Sequence, residues 1–475
     1  MIEAALALLR LFLGLGAVAL LGYALVACLA PQPREFSLAE RASCGFGAGA
    51  LLLTLWMLAL TWWGVLFSLG LILGPLLVPA ALLLLSSRGQ AALTADWRAL
   101  SSGFQVRLRG WDWLLAGLLA ALFLFATLRA ALYPIWAWDA LATWGLKAKV
   151  FYISRGVDFT SIDAHNYYPN LVPLLLSYLY FCLGQVNDHL VKLVFPLWGA
   201  LLLTLLYSLA GRLGLTRRQA LGLTAFFALN GTVFIVHLYI AYADLALAYF
   251  TLGAAGLIYL WLQDAAPRGS LPIIACFLAG MAWCKYEGPP LAATVILAAA
   301  LTLIWLRPLR WATRLGQLAV PLTGLAAGYL PWRLFAIRQN LEIGQDHIQS
   351  FYPHQFLEAI AYLLQALVHP YYFGFLWPAL LLALILSGRR LWRSPRLFLA
   401  LFIGGNLLAV ILAYAVAPTA AQEFPSYVRS TLDRLLLHIT PVAALLVGLG
   451  IKELGAESGP QPDPAFPPAG PDAPR

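Results

Sequence analysis

Charge is what this 475-residue sequence has least of: Asp, Glu, Lys and Arg make up 11% of it, against 62% hydrophobic residues and a mean hydropathy of +0.81. No soluble domain of this length tolerates that balance, so most of the chain must lie in lipid. Cysteine is scarce as well. Cys28, Cys44, Cys182, Cys276 and Cys284 form no C-x-x-C pair and mostly sit inside apolar runs, so neither a disulfide nor a zinc site is expected. There is no single basic face. The formal charge of +9 comes from arginines in short clusters between apolar runs, which excludes nucleic acid as a partner and reads as cytoplasmic anchoring. No internal repeat and no inverted pair of interrupted helices is visible, which weakens a transporter reading.

What is present is a series of apolar runs of about 20 residues, the length of a transmembrane helix, recurring from end to end where a signal peptide would give one. The fold class is therefore all-α, a polytopic transmembrane helical bundle. Basic residues resist translocation, so the Arg-rich loops 87–110, 212–218, 307–314 and 389–396 belong on the cytoplasmic side. Between the first two loops an even number of crossings is required, yet three apolar pieces occur, 111–133, 170–184 and 190–210. The piece 170–184, at about 15 residues with Pro173 inside it, is too short to span and reads as a juxtamembrane or re-entrant helix. Residues 134–188 then form one large extracytoplasmic loop. Downstream, parity gives spans near 220–237, 241–262, 271–284, 289–306, 315–336, 371–386, 397–416 and 435–450. With three more in 4–29 and 46–85 the total is about 13, and the N-terminus lies outside. The expected organisation is an N-terminal extension with a basic cytoplasmic loop (1–110), a core (111–451) and a Pro-rich disordered cytoplasmic tail (452–475).

A charge inside such a span costs roughly 2.5–3.5 kcal/mol at the helix centre, so each one needs a reason. Asp244 in YADLALAYF, Lys285 and Glu287 in WCKYEGPP, Arg333 and Arg338, and Arg429, Asp433 and Arg434 in SYVRSTLDRLLLHITP all fall at the outer ends of spans. Each also has a plain reading. Lys285 and Glu287 can cap a hairpin at the headgroups, Arg338 can anchor at the interface, and Arg434 can pair with Asp433. The outer loop adds WAWDALATWGLKAKVFY. Its Trp136, Trp138 and Trp144 suit an aromatic belt, with Lys147 and Lys149 on lipid phosphates. Asp139 does not suit a belt, because a carboxylate among tryptophans is poorly solvated and well placed for a raised pKa. If 137–152 is α-helical, Asp139, Thr143 and Leu146 share one face and Trp136, Ala140 and Trp144 another.

The motif W-D-A-x-x-x-W-x-x-K-A-K, with Asp139, Trp144, Lys147 and Lys149, is followed by H-x-x-Y-P-x-L-x-P-L-L, with His165, Tyr168, Pro169 and Pro173. This pairing resembles GT-C class glycosyltransferases, and most nearly the bacterial members related to protein O-mannosyltransferases and lipid A aminoarabinose transferases. Gly280, Lys285, Asp244, Arg434 and Pro441 stand where similar bacterial sequences carry their later polar positions, so the resemblance runs over roughly 111–450. It departs from the mannosyltransferases in two ways. Their Asp-Glu pair is here Asp139-Ala140, leaving one candidate base, and their His-Pro-Pro is His165-Asn166-Tyr167-Tyr168-Pro169. No D-x-D occurs, which argues against the metal-dependent oligosaccharyltransferase branch.

The resemblance implies an integral glycosyltransferase of the bacterial inner membrane, hexosyl- or pentosyl-transferring, working on the extracytoplasmic face without cofactor or metal. Its partners would be a polyprenyl-phosphate sugar donor, a glycan, lipid or protein acceptor, and membrane lipids. Asp139 would be the general base, with Lys285, Arg333 and Arg434, in that order, as candidates for the donor phosphate. Trp138, Trp144, Lys147, His165, Tyr168, Asp244 and Glu287 would bind substrate, and 337–370, with Asp346, His347 and His354, would shape the acceptor side. Two alternatives stay open. A transporter or lipid flippase would use Asp244, Lys285 and Glu287 as a relay, and a scaffold would keep Asp139 bonded to backbone amides.

Overall fold

The computed structural model describes residues 2–32, 35–101, 109–162, 165–341, 350–420 and 423–456, and every regular element among them is helical. The chain opens with α1 (Ile2–Leu29), α2 (Leu38–Trp62), α3 (Leu69–Leu85), α4 (Ser87–Ser101) and α5 (Trp111–Leu132). A π-helical turn, Ala140–Gly145, leads into α6 (Leu146–Ser154), then α7 (Leu171–Leu183), α8 (Asp188–Val191) and α9 (Val194–Arg212). Next come α10 (Arg217–Leu229), α11 (Thr232–His237), α12 (Asp244–Leu262), α13 (Ser270–Cys284), α14 (Gly288–Leu306), α15 (Trp311–Gln317) and α16 (Ala319–Arg338). The C-terminal third holds α17 (Pro353–Val368), α18 (Pro370–Phe373), α19 (Leu376–Trp392), α20 (Arg396–Val416), α21 (Phe424–Leu437) and α22 (Thr440–Ala456).

α12 is the axis of the bundle, with every residue from Asp244 to Leu262 buried, as an all-round apolar helix requires. Around it pack α9, α13, α14 and α22. α5 has the same apolar content but shows most of its surface, the pattern of a helix facing lipid. α1 and α2 lie against each other through glycines four residues apart, because a Cβ on Gly22 would collide with the Gly45 carbonyl oxygen and one on Gly49 with that of Val18.

The start of α2 differs from the sequence reading, which placed residues 40–41 outside the span beginning at 46. Ser37 and Glu40 form a capping box that starts the helix earlier. Arg41 is then tolerated fully buried because its guanidinium grips Asp96 of α4 (Nε to Oδ2 2.9 Å), which also accepts from the Tyr23 hydroxyl at 2.7 Å. Trp283 of α13 donates to Thr54 of α2 at 2.9 Å, so the first helices are built into the core.

This is a multi-pass membrane protein. Seven helices among the described residues are long and apolar enough to cross, or nine if two bent pairs, α3 with α4 (77°) and α21 with α22 (52°), each count once. The path of about 13 crossings also relied on shorter or less apolar elements, such as α13 with its 15 residues. The segment 170–184 is indeed a short helix, the 13-residue α7, ended by Gly184 in the left-handed conformation. At the other end α22 continues to Ala456, past the point where the tail was expected to begin. Residues 457–475 lie outside the described part.

Candidate active site

Within the loop 134–188, the stretch 137–152 is not one α-helix with two clean faces. Leu146 N–H bonds to Leu141 O, five residues back, so the segment after Asp139 is wound as a π-turn before α6 begins. The wider winding separates the tryptophans. Trp138 is 79% exposed and Trp136 half-exposed, whereas Trp144 turns inward and packs 5.5 Å from the Tyr168 ring. The expected faces Asp139–Thr143–Leu146 and Trp136–Ala140–Trp144 are therefore replaced, since i,i+4 neighbours hold only for regular α-helix.

Neither lysine of this stretch reaches toward lipid. Lys149 pairs with Asp188 at 2.7 Å. Lys147 is wholly buried, donates to the His165 carbonyl oxygen at 2.6 Å and lies over the Phe159 and Tyr168 rings at 5.5 and 6.0 Å. Burial without a carboxylate pushes its ammonium down to about 7. The bond holds His165 in the left-handed backbone region (φ +52°), from which the chain runs into an aromatic wall. Tyr167 stacks on Tyr168 at 4.9 Å and Tyr286 meets both edge-on. Burial raises both Tyr167 and Tyr168 phenols, keeping them neutral donors.

Beside this wall the charged residues of four distant segments converge. Asp139 forms an ion pair with Arg434 of α21, and the Arg434 guanidinium lies 5.2 Å from the centre of the Tyr242 ring. Tyr242 also interacts electrostatically with Asp139. So Asp139 is not the isolated carboxylate suggested by its tryptophans, and the Arg434 guanidinium goes to it and not to Asp433, whose Oδ1 takes only the Arg434 backbone N–H at 2.9 Å. Arg434 in turn interacts electrostatically with Asp244.

Asp244 opens α12 where the helix dipole favours an anion. Its Oδ1 accepts from Lys285 Nζ and from His438 Nε2, both at 2.8 Å, and Lys285 also reaches Glu287 at 3.1 Å. Asp244 Oδ2 and Glu287 Oε2 are buried without a hydrogen-bond partner among the described residues. The tight turn between α13 and α14 sets Lys285, because Gly288 backs onto the Met281 carbonyl too closely for any Cβ. The 52° bend between α21 and α22 brings Arg434 and His438 to the cluster together. Three carboxylates, Asp139, Asp244 and Glu287, thus face two permanent cations, Arg434 and Lys285, and one histidine.

Asp139, Trp144, Lys147, His165, Tyr168, Asp244, Lys285, Glu287 and Arg434 are brought to this end of the bundle. Arg333 makes no ion pair among the described residues and interacts electrostatically with Tyr286. Trp138 points outward. His354 starts α17, with its ring 6.1 Å from that of Tyr352, and Asp346 and His347 lie outside the described residues. Sequence reasoning missed His438, His237, Tyr242 and Tyr286. His438 stands four residues after Arg434, so it shares its helical face, and that spacing was the available signal. His237 is buried beside Tyr242 (5.9 Å) with Nε2 unpartnered among the described residues. Among the described residues no group of three or more His, Cys, Asp or Glu is placed to hold a metal ion.

A buried axial helix in a polytopic bundle, with a large loop that bears short helices, is a fold found among solved membrane-protein structures. ArnT from Cupriavidus metallidurans bound to undecaprenyl phosphate shares it, with a TM-score of 0.52 at 16% identity over 74% of this chain and 62% of that one. The same enzyme in its apo state aligns with a TM-score of 0.51, 16% identity, and 74% and 61% coverage. The chain thus corresponds to less than two thirds of ArnT's length. No family model and no curated protein matches the sequence.

Proposed function

We propose that this chain is a membrane glycosyltransferase that moves a sugar from a polyprenyl-phosphate donor to an extracytoplasmic glycan, lipid or protein acceptor, with inversion and without a metal. The observation that carries the reading is the Asp139–Arg434 pair, set beside the Asp244–Lys285–Glu287 cluster at the loop-bearing end of a GT-C fold. The ArnT structure bound to undecaprenyl phosphate supports the class of carrier.

In the proposed step the acceptor oxygen attacks the anomeric carbon while its proton passes to Asp139. The bond from that carbon to the phosphate oxygen breaks on the opposite side, and the electron pair leaves with polyprenyl phosphate. Arg434 ranks ahead of Lys285 and Arg333 as the group that neutralises the phosphate. Lys285 is already held by two carboxylates, whereas Arg434 forms one ion pair and has a guanidinium able to grip a phosphate bidentately. A donor phosphate that draws Arg434 away frees Asp139 to act as base, so donor binding itself arms the site.

The test is transfer of labelled sugar from polyprenyl-phosphate donors to a crude acceptor extract by wild type and Asp139→Asn. Turnover by wild type with donor binding but no transfer by the variant supports the reading. Equal behaviour of the two overturns it and directs attention to transport assays on Asp244→Asn.

A further inference from the structure

At the far end of α12 and α22, about 28 Å along the helix axis from Asp244, lies a second polar site of opposite character. A cavity of about 400 Å³ is lined by Arg389, Arg390, Arg393, Arg396, Ser394, Glu453, Tyr259 and Gln263. It is made by a break in α19. At Gly388 (φ +45°, ψ −127°) the backbone leaves the helix in a region glycine enters without steric cost, and the chain turns round the end of α22 before α20 begins. Arg396 meets Glu453 at 2.7 Å and Ser387 Oγ at 3.3 Å and interacts electrostatically with Tyr259, and Arg390 meets Glu453 at 3.5 Å. Arg389 and Arg393 make no ion pair among the described residues, and the Ser394 hydroxyl is buried without a hydrogen-bond partner there. Four guanidinium groups therefore surround one carboxylate.

A further observation bears on the depth of this site in the membrane. Trp305 and Trp392 pack against each other at its edge, Trp305 Nε1 donating to the Trp392 carbonyl oxygen at 3.0 Å, and both rings are more than half exposed. Exposed paired tryptophans mark the headgroup level.

We infer that this cavity binds a phosphate group, that of an anionic phospholipid of the adjoining leaflet. The unbalanced arginines supply charge and forked donors, Ser394 Oγ supplies a neutral donor, and the flanking tryptophans hold the acyl-glycerol part at the interface. The site is separate from the one beneath the 134–188 loop, and its test does not depend on any sugar transfer.

The full-length protein in neutral detergent is titrated with phosphatidylglycerol, phosphatidylcholine or inorganic phosphate, and bound molecules are counted by native mass spectrometry. The expected result is retention of phosphatidylglycerol over phosphatidylcholine, weakened roughly tenfold or more in Arg389→Gln/Arg393→Gln, which removes the two unpaired charges and leaves the Glu453 bridges intact. Glu453→Gln, by removing the competing carboxylate, is expected to bind at least as tightly as wild type. A variant that fails to fold is recognised by its elution profile, and Arg393→Gln alone then takes its place with a smaller loss. Saturation by inorganic phosphate with no lipid uptake keeps the phosphate site and overturns its lipid source. Equal retention of phosphatidylglycerol by wild type and variants overturns the inference.

Discussion

The two ends of α12 present the same problem, charge next to lipid, and solve it differently. At the Asp244 end Asp139, Asp244, Glu287, Lys285 and Arg434 each have an oppositely charged partner, and the carboxylates outnumber the fixed cations. At the Tyr259 end four arginines line one cavity with a single glutamate, which pairs with two of them. A nearly balanced cluster can be buried and held rigid, because every ion is compensated within the fold. An unbalanced one must stay near water or a counter-ion. The first is the arrangement expected of a site where bonds are made, with its groups preorganised at no cost during the reaction. The second is expected of a site that holds something already charged.

That contrast can be broken from the balanced end. The largest effect is expected for Asp139→Asn, which keeps the shape of the site but removes its base. Sugar transfer should fall by roughly 10²–10⁴-fold while donor binding persists. A transfer assay paired with donor retention measures both, and loss of the two together would make Asp139 a structural partner of Arg434 and nothing more. Next is Asp244→Ala, which leaves Lys285 and His438 buried without their shared carboxylate. Removal of one member of such a buried pair costs about 3–5 kcal/mol, to be read from thermal unfolding of the helical signal. An unchanged transition would show that this end is far wetter than its burial indicates.

A subtler effect is expected from Lys147, which has no charged partner. An unfolded lysine keeps its proton up to about 10.5, whereas the buried one has lost it above about 7. Across that window the unfolded chain binds the extra proton, so stability should rise with pH, and Lys147→Met should flatten the rise. Melting curves from pH 7 to 10 decide it. The smallest effect is expected at Trp138, which is 79% exposed. Trp138→Ala should leave stability within about 0.5 kcal/mol, so that any loss of turnover at limiting substrate reports on contact with a substrate and not on the fold.

The loop around Asp139 shows where sequence reading stopped. Its composition marked it as the unusual part of the chain, yet the π-turn has no local signature, and so the inward turn of Trp144 and Lys147 was invisible. Lys149 and Lys147 looked alike in sequence. One is an ion-paired surface residue and the other a buried strut under His165, and only distant residues, Asp188 and the carbonyl at 165, distinguish them. Glu40 and Arg41 lie before the apolar run that begins at 46, and their place inside α2 was not legible for the same reason, since Asp96 and Arg212, which pair with Arg41 and Glu40, are remote in the chain.

By itself the sequence determined that the chain is a helical membrane bundle, that 170–184 is too short to cross, and that Asp139, Asp244, Lys285 and Arg434 are the polar groups requiring explanation. Those conclusions follow from local quantities, hydropathy and run length, that any twenty-residue window contains. Which charge meets which was decided by the tertiary structure alone. Arg434 reaches Asp139 across 295 positions and His438 reaches Asp244 across 194, and at such separations a contact is set by how helices pack, bend and break.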